Sequence, residues 1–223
     1  MSTLKSYRDN ELKWFILAYL FLVIGSSNLD IVKSTDMEAL SKIESLVSTA
    51  LISGAICSLA FVIDSLYSQL MKDTLLYLGI TKMPGTTVFT RIKNGTLNDI
   101  RFGIIHAQEK YKDIIDNIPS NKSKARYENS NWYKIYVKHK EDSAVSSVHR
   151  DFLLCRDLYI TTISLAVLTG IAMVVKLVSF SWILLGYLIA TAIITSCSAH
   201  NKAHRFVNTV IAVDVAAMAN DEK

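Results

Sequence analysis

Residues 158–198 read LYITTISLAVLTGIAMVVKLVSFSWILLGYLIATAIITSCS, forty-one positions interrupted by a single charge, Lys176. A hydrocarbon core is crossed by about 20 predominantly apolar residues in a helix. The stretch is therefore long enough for two crossings, 158–175 and 177–198, with Lys176 marking the turn of a hairpin. Working outward from it, two further apolar blocks lie upstream. Residues 45–63, SLVSTALISGAICSLAFVI, carry no charge, and residues 12–27, LKWFILAYLFLVIGSS, are shorter and need flanking residues to complete a crossing. The first block follows Lys5 and Arg8 as a signal peptide would, but offers no small-x-small cleavage pattern, so it is expected to stay as a helix.

The whole chain has 223 residues, 51% of them hydrophobic. Its mean hydropathy is +0.29. Apolar blocks separated by a charged middle are the pattern of a membrane protein rather than of one water-soluble domain. The expected fold class is all-α. It is a four-transmembrane-helix membrane protein with a small cytoplasmic helical domain, assembled as a homo-oligomeric bundle of four or more copies. The expected divisions are 1–66 (tail and spans 1–2), 67–155 (basic cytoplasmic helical domain), 156–198 (transmembrane hairpin 3–4) and 199–223 (cytoplasmic amphipathic tail).

Orientation follows from the loops. Twenty-one Lys and Arg fall on the side of the termini and the 72–156 segment, and three on the other (Lys33, Lys42 and Lys176). The positive-inside rule makes both termini and the middle segment cytoplasmic in a multi-pass bacterial inner-membrane protein. The net charge of +4 is concentrated in that middle segment, next to anionic headgroups, so membrane lipid is an expected partner. Cys57, Cys155 and Cys197 lie in or beside the apolar blocks without C-x-x-C spacing. They suggest packing residues, with neither a zinc site nor a disulfide framework. No cofactor is expected.

Within the middle segment, Leu66, Leu70, Leu75 and Leu78 continue the second span toward Gly79 as a helical extension. Residues 98–116 read as a helix capped by Asn98, with Ile100, Ile104, Tyr111 and Ile115 on one face and an end before Pro119. Residues 119–131 read as an exposed loop, followed by a short amphipathic element through Trp132, Ile135 and Tyr136. From Ser143, helical spacing of Val145, Val148, Phe152 and Tyr159 runs straight into the third span.

Several groupings suggest chemistry. In GITKMPGTTVFTRIKNG, residues 79–95, the side chains of Lys82, Thr86, Thr87, Arg91 and Lys93 supply cations and hydroxyls suited to an oligoanion, with Thr90 alongside. The order G-x-x-x-x-G-K-[ST] of a nucleotide-hydrolysing loop is missing. The competing reading makes this stretch a structural turn or a contact between protomers. Ser45, Thr49 and Ser53 in the second block, with Thr191 and Thr195 in the fourth, form stripes of small and hydroxyl residues. Such stripes pack membrane helices closely or line an oligomeric pore. Arg150, Arg156 and Asp157, with His149 and Asp151, make a charge cluster before the third span, read as a salt-bridge network that a ligand can reorganise in gating. His200 and His204 have the spacing of a two-His metal pair, but no carboxylate lies between them, so they read as polar residues at a helix end and no metal is expected. The tail RFVNTVIAVDVAAMA is amphipathic enough to lie on a membrane or a neighbour.

The motif P-x-T-T (Pro84, Thr86, Thr87) and the pair Arg156-Asp157 entering the closing hairpin resemble small four-pass bacterial membrane proteins. The layout is similar to membrane effectors of antiphage defence systems. That resemblance implies a ligand-gated inner-membrane channel or membrane-disrupting effector, opened by an anionic nucleotide or oligonucleotide signal, and not an enzyme. The first alternative is a non-conducting scaffold that docks a cytoplasmic protein partner. The second is a membrane-tethered ribonuclease of HEPN type, suggested by the R-x-x-x-x-H spacing of Arg101 and His106. No intramembrane relay of carboxylates or histidines argues for secondary transport.

Overall fold

The computed structural model describes residues 12, 14–19, 39–78, 82–97, 99–177 and 180–221. Every regular element among them is helical: α1 (Ala39–Leu66), α2 (Gln69–Tyr77), α3 (Val88–Lys93), α4 (Ile104–Lys110), α5 (Lys112–Asp116), α6 (Lys124–His139), α7 (Ser143–Val174) and α8 (Trp182–Asp221). Residues 14–19 are helical too. No strand occurs among the described residues, so the all-α expectation holds.

Two helices, Ser143–Val174 and Trp182–Ala217, are long and apolar enough to cross a membrane, and they mark the chain as a membrane protein. At 1.5 Å rise per residue, the 32 residues of α7 extend about 48 Å, well beyond a hydrocarbon core of about 30 Å. The expected helix from Ser143 into the third span is thus observed. The expected turn at Lys176 is also present: its φ of 61° ends the helix, and Leu177 donates its N–H to the Ala172 carbonyl at 2.8 Å. The second apolar block passes the same test only when Ala50–Leu66 and Gln69–Tyr77 are taken together across their bend. Most of the first block, 12–27, lies outside the described residues.

The chain folds as two units, residues 1–76 with 154–198 and residues 77–153 with 199–223. In the first, Tyr19, Cys57, Leu165, Ala172, Leu184 and Leu188 form the packed interior, and the Tyr19 hydroxyl bonds to Thr169 Oγ1. Its outer surface carries Val167, Ile171, Ile183, Ile189, Ile193 and Ile194, all exposed. Such an apolar exterior suits lipid rather than water.

The second unit has its own core. Val88, Phe89 and Ile92 of α3 pack with Tyr111, Ile115, Trp132, Val145 and Val148, and with Phe206, Val207, Val210, Ile211 and Val215 of α8. Phe206 is its aromatic hub, stacked on His149 at 4.7 Å and edge-on to Trp132 and Tyr136, both at 5.4 Å. Residues 199–221, expected as an amphipathic tail on a membrane or neighbour, bury that apolar face inside this core.

Four local expectations are corrected. The helix of the second block does not run through to Leu78: it stops at Leu66, and α2 restarts at Gln69, where Ser68 Oγ accepts the Met71 amide at 3.2 Å as an N-cap. The 98–116 helix begins at Ile104, after a turn in which Asp99 Oδ1 accepts the Arg101 amide, and it breaks at Tyr111. Ile100 is fully exposed rather than on the buried face. Finally, the loop read over 119–131 is helical from Lys124, because Glu128, polar by composition, is wholly buried with internal partners.

Candidate functional site

Pro84 opens a 3-10 turn over Pro84–Thr86, with the Thr86 amide on the Met83 carbonyl at 2.9 Å. Proline's fixed φ suits the first position of such a turn. Thr87 then leads into α3, whose Val88, Phe89 and Ile92 are pulled into the core. That anchoring leaves Thr86, Thr87 and Thr90 on the side facing the start of α6. There, Asn121 Oδ1 accepts both the amide (2.9 Å) and the hydroxyl (2.5 Å) of Ser123, an Asx turn that sets the helix entry.

Between these two pieces lies a cleft of about 390 Å³ lined by Lys82, Thr86, Thr87, Thr90, Asn121, Lys122, Lys124 and Ala125. Three of its eight lining residues are lysines and none is acidic. Ser123, the N-cap of α6, makes no side-chain cap bond, so the first turn of that helix presents amides and the positive end of its dipole near Ala125. The threonine hydroxyls are already donated inward: Thr86 to the Met83 carbonyl (2.6 Å), Thr87 to the Pro84 carbonyl (3.4 Å) and Thr90 to Glu128 Oε1 (2.5 Å). Positive charge for a ligand therefore comes from Lys82, Lys122 and Lys124. Gly85 does not approach the cleft. It lies under α6, where a Cβ would meet Asn129 Oδ1 at 2.6 Å and Trp132 Cε3 at 3.2 Å.

Of the sequence-derived ligand set, Lys82, Thr86 and Thr87 come together, and Arg91 and Lys93 do not join them. One residue of helical rotation turns Arg91 away from Thr90. Its guanidinium donates to His204 Nδ1 at 3.1 Å and to Asn208 Oδ1 at 3.0 Å. Burial lowers the Arg91 pKa, opposed by the Glu128 charge. Partial burial, then Arg91 and His200, hold the His204 imidazole below its ordinary range. Lys93 ends α3 exposed to solvent. Asn121, Lys122 and Lys124 were missed because 119–131 reads as featureless loop. The available signal was the S-N-K-S-K run, an N-capping serine flanked by two lysines.

The remaining candidates fall in both units. Arg156 and Asp157 belong to the first unit. There, Arg156 reaches Asp73 (3.0 Å) and Gln69 (2.6 Å), while Lys72 bridges Asp64 (2.9 Å) and Asp157 (3.3 Å). Arg150 belongs to the second unit, with Asp151, which pairs with Lys202 at 2.8 Å. Thr195 donates to the Thr191 carbonyl at 2.7 Å, a lone-helix bond that is neutral between packing and lining. The side chains of Ser45, Thr49 and Ser53 lie outside those described.

Arg101 sits in the turn before α4, held by Asp99 (2.6 and 2.8 Å) and donating to Thr209 at 2.7 Å, so it does not share a helix with His106. His200 packs edge-on against Tyr77 at 5.2 Å. Among the described residues, no group of three or more His, Cys, Asp or Glu is placed to hold a metal ion.

A buried polar centre absent from the sequence reading surrounds Asp214. His139 Nε2 (2.6 Å), the Tyr111 hydroxyl (2.8 Å) and Lys110 Nζ (2.9 Å) converge on its carboxylate. Burial would raise the carboxyl pKa, but the bonds from Lys110, His139 and Tyr111 together bring it down to about 2.

No protein-family model, no curated protein and no solved structure matches this chain.

Proposed function

We propose that the protein is a multi-pass membrane sensor whose helical unit binds a phosphate-bearing anion in the cleft between Lys82, Lys122 and Lys124. The observation that carries this reading is the cleft itself: three lysines and an uncapped helix start line one space, with no acidic residue in its lining. Phosphate-bearing groups suit such a setting because helix amides and lysines both complement their charge.

Four spans, the bacterial inner membrane, and both termini on the same cytoplasmic side as the basic unit complete the proposed arrangement. The effector step is conduction or membrane disruption by a homo-oligomer, biased toward an open state because the ligand binds that state better. A nucleotide or oligonucleotide is the proposed ligand class, and antiphage defence the proposed setting.

The test is reconstitution of the purified full chain in liposomes, with ion flux followed while inorganic triphosphate, ATP or short oligoadenylates are added. Flux that rises with one of these anions, and that Lys122→Glu with Lys124→Glu removes, is the expected outcome. Each lost hydrogen bond to charge is worth roughly 1.5–3 kcal/mol, about tenfold or more in affinity. Binding that persists unchanged in the double variant would exclude the cleft. An intact response to binding with no flux under any condition would leave the non-conducting scaffold as the better account.

A further inference from the structure

In the first unit, α2 is amphipathic in the reverse sense to a water-facing helix. Its charged residues turn inward: Lys72 is almost wholly buried against Asp64 and Asp157, and Asp73 meets the buried Arg156. Among the residues turned outward at the helix junction are Leu66 (75% exposed), Leu70 (78%) and Met71 (50%), beside the exposed Ser65, Ser68, Gln69 and Thr74. A helix at a water boundary places these sets the other way round. Polar groups on this outer side find partners within the unit. Ser65 donates to the Val62 carbonyl (2.6 Å), Thr74 to the Leu70 carbonyl (2.8 Å), Ser68 Oγ accepts the Met71 amide, and Gln69 Oε1 accepts from Arg156. Across the break between the helices, the Tyr67 amide bonds to the Ile63 carbonyl and the Lys72 amide to the Ser68 carbonyl. Internal satisfaction of side-chain and backbone polar groups is the condition that a hydrocarbon surrounding imposes.

We infer that α2 is a membrane-embedded element: Leu66, Leu70 and Met71 lie against lipid acyl chains, and the helix forms a bent continuation of the α1 crossing instead of an extension into water. The occupant of this face is the bilayer, because the same unit exposes apolar side chains at Val167, Ile171 and Ile193 on helices long and apolar enough to cross a membrane. The Lys72 and Arg156 network is then a charge cluster at the membrane boundary, shielded from lipid by the helix that carries half of it.

A diazirine-bearing phenylalanine placed at Leu70, and separately at Met71, tests this in the full chain reconstituted in phosphatidylethanolamine and phosphatidylglycerol vesicles. On irradiation the probe loses dinitrogen, and the carbene inserts into a neighbouring C–H or O–H bond. Probes at Ile171 and Lys140 calibrate the lipid and water extremes. Phospholipid adducts at both test sites, at the yield seen for Ile171, are expected. Water adducts at the Lys140 level would overturn the inference, and so would a dominant cross-link between two chains, which would make the face a protomer contact. The two sites report separately, so a folding defect at one leaves the other to decide.

Discussion

Glu128 and Thr90 are joined twice. The carboxylate of Glu128 accepts the Thr90 amide at 2.9 Å and the Thr90 hydroxyl at 2.5 Å, and this pair fastens the α3 side of the cleft to α6. Glu128 is wholly buried, so removing its acceptors strands two donors. Glu128→Ala is expected to cost about 2–4 kcal/mol, one to three for each unsatisfied buried group with partial relaxation. Thermal unfolding of the purified chain in detergent measures it. A loss under about 0.5 kcal/mol, the level of an ordinary surface change, would contradict this role.

Gly85 is required by contact. Its backbone runs under Asn129 and Trp132, and a methyl group there would overlap Asn129 Oδ1. Gly85→Ala is therefore expected to destabilise the helical unit by about 1–3 kcal/mol, the range for overpacking a filled site. Gly54, where a methyl group would meet nothing within 4 Å, is the control: Gly54→Ala should leave the melting temperature unchanged or slightly raised.

Asp214 ties two segments of the second unit, Lys110–Tyr111 and the end of α6 at His139, to α8. Its carboxyl is held near pKa 2 in the fold against 3.8 ordinarily, so its contribution to stability is present above pH 4 and is lost as pH falls from 4 toward 2. Asp214→Asn should flatten that acid limb. It should also cost about 3–5 kcal/mol at neutral pH, because the largely buried Lys110 loses the charge that compensates it. Denaturant melts of both proteins between pH 7 and pH 2 give the comparison, and equal acid limbs would contradict it.

The Arg91 bond to His204 needs a lone pair on Nδ1, hence a neutral imidazole. With the folded pKa of His204 lowered from 6.5, this contribution is complete above pH 6.5 and declines as pH falls through that value. His204→Asn keeps an acceptor at a similar position without titrating. It is expected to remove part of the stability loss between pH 7 and pH 5. A variant whose pH profile matches the parent's would show that His204 does not titrate against Arg91.

How much of the fold is readable from sequence depends on where each signal resides. The 158–198 hairpin was legible because the length of an uncharged run is a local property that the bilayer reads directly. Its turn at Lys176 was legible for the same reason. Val145, Val148 and Phe152 were found by periodicity, since α7 keeps one face buried along its first turns. The helix from Lys124 was not legible: K-A-R-Y-E-N-S is mostly polar with no apolar period, and the burial of Glu128 against Thr90, 38 residues away, makes it a core element.

The candidate cleft divides along the same line. Lys82, Thr86 and Thr87 are near in sequence, so composition alone drew attention to them. Arg91 and Lys93 were drawn in by the same proximity, and helical rotation took them away. Lys122 and Lys124 were placed opposite by the packing of α6 on the 3-10 turn at Gly85. By itself the sequence determined that the chain is helical and where it can meet a bilayer, because these follow from the hydrophobicity and period of short segments. Only the tertiary structure decided that residues 199–221 complete the core of the basic unit, and which lysines face one another. Those outcomes depend on contacts between segments about a hundred residues apart, such as Tyr111 with Asp214, which no local pattern encodes.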